Sequence, residues 1–353
     1  MIVSEKLEAE EAMTKLYSTA KRFSQRYISP LVLRQIYRLY CKWRGLVRNR
    51  NGWWDSRKDE RRIYAFDSCI LHYLLERCFW VHYGDNKVVA HLLAILFELD
   101  GHLGKIFDFS LLSSGRKHWR TKYHDHEQGR NTMLKLSAED FFMESTWKNE
   151  ALDAELVKPL DYFLEHAYKR RVLFNNKRFA EQFIVHSIKT ILGRRFSLLC
   201  HPCAMSFKCP EILPKLLRHG LFVNAGPKDE NVGKLITGII GIYATSGLEA
   251  IPLQILEMGN VLLRAVKSVD PDVLMKCQRI RNRTPLVQKL LTNVVETDVL
   301  PKLRIRCGGP QELQHICRCV IRKCLYESWQ LPTGICFLPL PTLMKEYINL
   351  KLD

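Results

Sequence analysis

The chain has 353 residues, with 54 Lys and Arg against 37 Asp and Glu, for a formal net charge of +17. Hydrophobic residues make up 47% and charged residues 26%. That globular balance excludes global disorder and leaves room for about two domains. The longest uncharged apolar run, Leu235 to Leu248, is bounded by Lys234 and Glu249. It falls short of the roughly 18 residues of a membrane span and predicts a buried helix.

The opening residues Met1 to Glu8 are charged and hold no apolar signal core, so secretion is not expected. The 12 cysteines fit that expectation. Cys69, Cys78, Cys277 and Cys324 sit among apolar neighbours, as reduced and buried thiols of a cytoplasmic protein would, with the nucleus as the other compartment.

Between Ala12 and Trp54 there is no Asp or Glu, while Lys15, Lys21, Arg22, Arg26, Arg34, Arg38, Lys42, Arg44, Arg48 and Arg50 fall there. Ser29-Pro30 supplies an N-cap and a first-turn proline. Leu33, Ile36, Tyr40, Trp43 and Val47 follow at helical spacing, with Arg34, Arg38 and Lys42 in a row beside them. Such a face suits nucleic acid, an anionic membrane surface or an acidic protein, and equally a solvated helix exterior. No nucleic-acid motif accompanies it.

The middle of the chain reads as helices. Periodic apolar segments run over Ala65–Val81, Val88–Leu99, Leu160–Tyr168, Phe179–Leu192, Ile212–Arg218 and Ile251–Val266. Turn signals at Gly84-Asp85-Asn86, Asn175-Asn176 and Gly226-Pro227-Lys228-Asp229 separate several of them, and the polar, histidine-rich stretch Ser113–Gly129 predicts an exposed loop. The segment Pro210 to Ala225 resembles the second helix and turn of an ankyrin repeat. Leu216 and Leu217 would pack inward and Gly220 would supply the left-handed residue that ends the helix. Ile255 to Asn260 echoes it one long repeat later. Pro214 would interrupt the helix, Leu221-Phe222 replaces the small-acidic pair of that family, and Thr284-Pro285-Leu286 is only a fragment of its opening signature. The reading is a set of degenerate ankyrin-like helix pairs or an unrelated helical array.

The most specific signal is the tail. After Gly308-Gly309-Pro310, residues Leu313, Cys317 and Ile321 recur four apart on one helical face, which Ile316, Val320 and Cys324 widen. Arg318, Arg322 and Lys323 lie toward the other side. Then Leu338-Pro339-Leu340-Pro341 predicts an extended, polyproline-like backbone, followed by Tyr347-Ile348. A terminal amphipathic helix packed on the chain's own core would account for the first half and not for the second.

Both halves, in this order, resemble the SOCS box of ubiquitin-ligase substrate receptors; that resemblance covers only the tail, and with the ankyrin-like segment before it the chain is similar to the ankyrin repeat and SOCS box family. The resemblance implies an all-α fold: an irregular or ankyrin-like helical array over residues 61–304, after a basic helical region over 1–60 and before a three-helix SOCS box over 305–353. It implies that Leu313, Ile316, Cys317, Val320 and Ile321 bind elongin C in the elongin B/C pair. It further implies that Leu338, Pro339, Leu340, Pro341, Tyr347 and Ile348 engage a cullin, expected to be cullin-5 with its RING subunit. The protein would then be no enzyme but an adaptor that tethers a target, of unspecified identity, for ubiquitination. Glu312 departs from the family, which usually places a small residue or proline before the leading leucine. In the first helical turn a glutamate would suit the helix dipole, and Pro310 can occupy that turn. The alternative is a nucleic-acid-binding helical protein using residues 12–54.

Cys200-His201-Pro202-Cys203 with Cys209 and His219 could be a zinc or redox site, but Phe196, Leu198, Leu199 and Met205 beside them read as the surroundings of buried thiols. His118, His124, Asp125, His126 and Glu127 read as a solvated loop, and Gly226 to Lys234 has the wrong spacing for a phosphate loop. No cofactor or metal is expected.

Overall fold

A computed structural model of the chain describes residues 2–23, 28–48, 57–101, 103, 152–182, 212–246, 253–274 and 300–353. The fold is all-α, with no strand among the described residues. It divides into two compact units, Met1–Phe174 and Asn175–Asp353.

The first unit is a run of helices packed each on the next: α1 (Ile2–Phe23), α2 (Pro30–Arg48), α3 (Arg57–Trp80), α4 (Asn86–Asp100) and α5 (Leu152–Lys169). Pro30 opens α2, where a missing amide costs nothing, and the Ser29 hydroxyl accepts from the Val32 amide at 3.4 Å. The apolar stripe of α2 is buried at Leu33, Ile36, Tyr40 and Trp43, and Trp43 meets Phe66 edge-on with ring centroids 4.9 Å apart. Asp85 caps α4 by accepting from the amides of Lys87 and Val88, and Gly101 closes it at φ 69°. Between those caps α4 buries Val88, Val89, Ala90, Leu92, Leu93, Ile95 and Leu96, because both α3 and α5 pack on it.

The second unit contains α6 (Ile212–Arg218), α7 (Glu230–Ser246), α8 (Leu253–Ala265), α9 (Pro301–Arg306), α10 (Leu313–Glu327), a 3-10 turn (Thr333–Phe337) and α11 (Thr342–Ile348). Leu216 and Leu217 are buried, and α6 ends as its sequence predicts. Gly220 takes φ +97°, and the Leu221 amide donates back to the Leu216 carbonyl at 3.0 Å.

Two expectations for this region need correction. Pro214 does not interrupt α6; it lies in the first turn, where no amide has an intrahelical acceptor. The echo at Ile255–Asn260 does not reproduce the turn. Helix α8 runs straight through Gly259, because Met258, Val261, Leu262 and Ala265 continue one buried stripe beyond it. A side chain at Gly259 would crowd Leu300 and Ile239, so close packing holds that glycine. Helix α7 covers most of the apolar run Leu235–Leu248, and no helix among the described residues is long and apolar enough to cross a membrane.

Candidate functional site: an apolar helix face turned outward

Helix α10 turns one apolar stripe to solvent. Leu313 is 75% exposed, Val320 56%, and Cys317 and Cys324 are exposed with them, while Leu325 and Tyr326 near its C-terminus are buried. Ile316 is half-buried at the edge of this stripe, and Ile321 turns the other way, onto the core formed by Leu325, Tyr326, Leu331, Ile335, Tyr347 and Ile348. Arg318 and Arg322 lie on the side away from the stripe, as expected, and that side is the one turned inward. Both are 1% exposed, with His315 fully buried beside them, and only Lys323 of that group is exposed. Cys324 is likewise not a buried thiol.

That orientation has a physical cause. A buried guanidinium needs acceptors, and the last carbonyls of a helix lack intrahelical donors and carry partial negative charge. Arg322 donates to the Ile348 carbonyl ending α11, at 3.0 Å, and to the Leu217 carbonyl ending α6. Arg306 Nε donates to the Leu263 carbonyl near the end of α8, at 3.1 Å. Arg318 Nη1 donates to the Leu352 carbonyl at 3.1 Å, and its guanidinium lies 4.1 Å from the centre of the Tyr347 ring. His315 completes the set. Its Nδ1 accepts from Arg318 Nη2 at 3.1 Å, so its Nε2 carries the proton and donates to the Val266 carbonyl at 3.0 Å. Burial, then the nearby Arg306 and Arg318 charges, push its pKa down to about 4, which keeps it neutral.

Glu312 precedes α10 rather than entering its first turn, as does Pro310. Its carboxylate pairs with Lys302 at 2.9 Å and approaches Arg306 at 4.0 Å, and the hydrogen bond from Lys302 helps to hold its pKa below the usual carboxylate range. The departure at this position therefore ties the start of α10 to α9.

The second half of the tail alternates. Leu338 and Leu340 lean on the core, while Pro339 and Pro341 are exposed. Leu338 (φ −65°, ψ 139°) and Pro341 (φ −57°, ψ 152°) are extended, but the run is not the continuous polyproline-like backbone expected: it bends at Pro339, where the Leu340 amide donates to the Leu338 carbonyl at 2.8 Å. Tyr347 and Ile348 are buried in the core rather than presented outward. Sequence reasoning missed Phe337, 86% exposed just before the run. It also missed the inward set His315, Arg318 and Arg322, whose spacing of three and four is itself the signature of a packed face.

The basic N-terminal region is partly neutralised. Lys42 pairs with Glu8 at 3.2 Å, Arg44 with Asp67 and Glu98 at 3.2 Å each, and Arg48 with Glu98. Arg34 and Arg38 remain exposed on α2. Of the zinc candidates, His219 is bonded to the Lys215 carbonyl at 2.9 Å, while Cys200, Cys203 and Cys209 lie outside the described residues, as do Ser113–Gly129 and Thr284-Pro285-Leu286.

Residues 309–349 match the SOCS box family model. The mouse protein "Ankyrin repeat and SOCS box protein 14" is 32% identical over 71 residues, which is 20% of this chain and 12% of that relative. The chain therefore matches about an eighth of that relative's length. No solved structure matches the chain.

Proposed function

With a SOCS box at residues 309–349 as the premise, we propose that this chain is a non-catalytic substrate receptor of an elongin B/C–cullin-RING ubiquitin ligase. The observation that carries the reading is the outward apolar stripe of α10, which lies inside the matched segment and is left exposed by the described residues of its own unit. A partner that offers an apolar groove would bury it, in helix-in-groove recognition. Leu313, Cys317 and Val320 would enter elongin C, with Ile316 at the rim and Ile321 supporting the helix from the core side. Covering one exposed leucine contributes about 1.5–3 kcal/mol.

The exposed Pro339 and Pro341, held between Leu338 and Leu340, would meet the cullin, proposed as cullin-5 with its RING subunit. Tyr347 and Ile348 would serve that contact from beneath by fixing α11. The helices before the box would hold a protein target in the cytoplasm or nucleus. The receptor then acts by raising the local concentration of the target's lysines near a charged ubiquitin carrier. The likeness to an ankyrin repeat and SOCS box protein supports this division of labour.

Titration of the full chain with purified elongin B/C tests the reading. The wild type is expected to bind and Leu313→Asp to lose binding while keeping its helical content. Equal affinity for both would overturn the assignment of α10. In the assembled complex, Pro339→Ala with Pro341→Ala is expected to weaken cullin-5 capture and leave elongin binding intact.

A further inference from the structure

Several side chains that aim the α10 stripe find their partners outside the SOCS box itself. Arg322 reads the Leu217 carbonyl of α6, His315 reads the Val266 carbonyl just past α8, and Arg306 of α9 reads the Leu263 carbonyl. Tyr326 of α10 lies against Gly220 and donates to Glu181 at 2.7 Å. The guanidinium of Arg178 lies between the rings of Tyr326 and Trp329, 3.5 and 3.9 Å from their centres. Glu181 also accepts from the Arg178 amide at 2.9 Å, which fixes that short segment against the end of α10.

Several of these contacts would be lost if the box stood alone. Arg322 would keep the Ile348 carbonyl but lose that of Leu217, His315 would lose its carbonyl acceptor, and Tyr326 would lose the Glu181 carboxylate and the Arg178 guanidinium. Inside the box α10 would still rest on the core around Leu325 and Ile348 and on the bonds of Arg318 and Arg322 to the chain after it, but the supports that come from α6, Val266 and Glu181 would be gone. We infer that the SOCS box of this chain is not a separable module: α10 is clamped to the C-terminal ends of α6 and α8, and the partner-binding stripe is displayed only when those helices are folded. Recruitment of the ligase is thereby conditional on an intact second unit. The identity of the recruited partner rests on the function proposed above; the clamp does not.

The test is native-state hydrogen exchange on the full-length wild-type chain in increasing sub-denaturing urea. The slow amides of α10 are expected to merge with those of α6 and α8 into one common opening. An opening of α10 at lower urea than α6 and α8 would overturn the clamp. As a second arm, Arg322→Met should speed exchange in both α10 and α6 about ten-fold or more, the scale of losing hydrogen bonds to a charged group. Lys323→Met, at the exposed neighbouring position, should change neither. Faster exchange confined to α10 in Arg322→Met would also overturn the clamp. Elongin B/C is added in a separate measurement. A chain that opens as one unit yet binds no elongin B/C would refute the proposed function and leave the clamp standing.

Discussion

Gly220 and Tyr326 are locked together: the glycine leaves α6 at φ +97°, and the ring of Tyr326 occupies the space a Cβ there would need. Two independent constraints thus meet at one residue. The left-handed backbone disfavours any side chain, and the ring forbids one. Gly220→Ala is expected to destabilise the second unit by about 2–4 kcal/mol, the sum of the backbone and overpacking costs. Urea denaturation read on the second unit checks this, and a loss within experimental error of zero would mean the ring is free to move.

A second prediction concerns the first unit. Arg44 and Asp67 are buried together, and Asp67 also accepts from the Tyr40 hydroxyl while Arg44 reaches Glu98. Removing one partner strands the other charge. Arg44→Met is expected to cost about 3–5 kcal/mol, whereas Arg48→Met, which removes only an exposed pair to Glu98, should cost less than about 1 kcal/mol. Thermal or urea unfolding of the two variants separates them.

The pH dependence of the second unit follows from His315. Its folded pKa, about 4, lies below the ordinary value of 6.5. The unfolded chain therefore binds more protons between those values, and stability rises with pH across that window. The contribution is fully present above about 6.5 and is lost as pH falls toward 4; its ceiling is about 3 kcal/mol. Around the ring, Arg306 and Arg318 repel a proton, the backbone of Val266 and Lys267 favours one, and the Cys319 thiol lies 3.5 Å from Nε2. His315→Gln should flatten the slope of urea midpoint against pH between 4 and 6.5 relative to wild type, and an unchanged slope would remove His315 as its source.

Much of the helical layout was legible because spacing reports a face. Leu33, Ile36, Tyr40 and Trp43 recur at helical intervals and are buried, and Ser29, Asp85 and Gly220 mark helix ends by their own side-chain and backbone chemistry. The tail was legible in outline for the same reason. What spacing does not report is which face turns inward. In α10 both faces are periodic, and an apolar stripe ordinarily goes to the core. The decision is made by carbonyl acceptors at Leu217, Val266 and Ile348, which are brought to α10 only by the tertiary fold. Gly259 failed as a turn signal on similar grounds. Its sequence neighbourhood matches that of Gly220, but its reason for being glycine is the approach of Ile239 and Leu300.

The most direct measurement is a thiol footprint on the intact chain. Cys317 and Cys324 lie on the α10 stripe and are exposed, so both should react readily with a maleimide in the free protein. Saturating elongin B/C is expected to slow labelling of Cys317 strongly, and Leu313→Asp to restore the free rate. Labelling of Cys317 at an unchanged rate, in a chain that has demonstrably bound elongin B/C, would place the partner elsewhere and contradict the role given to the outward face of α10.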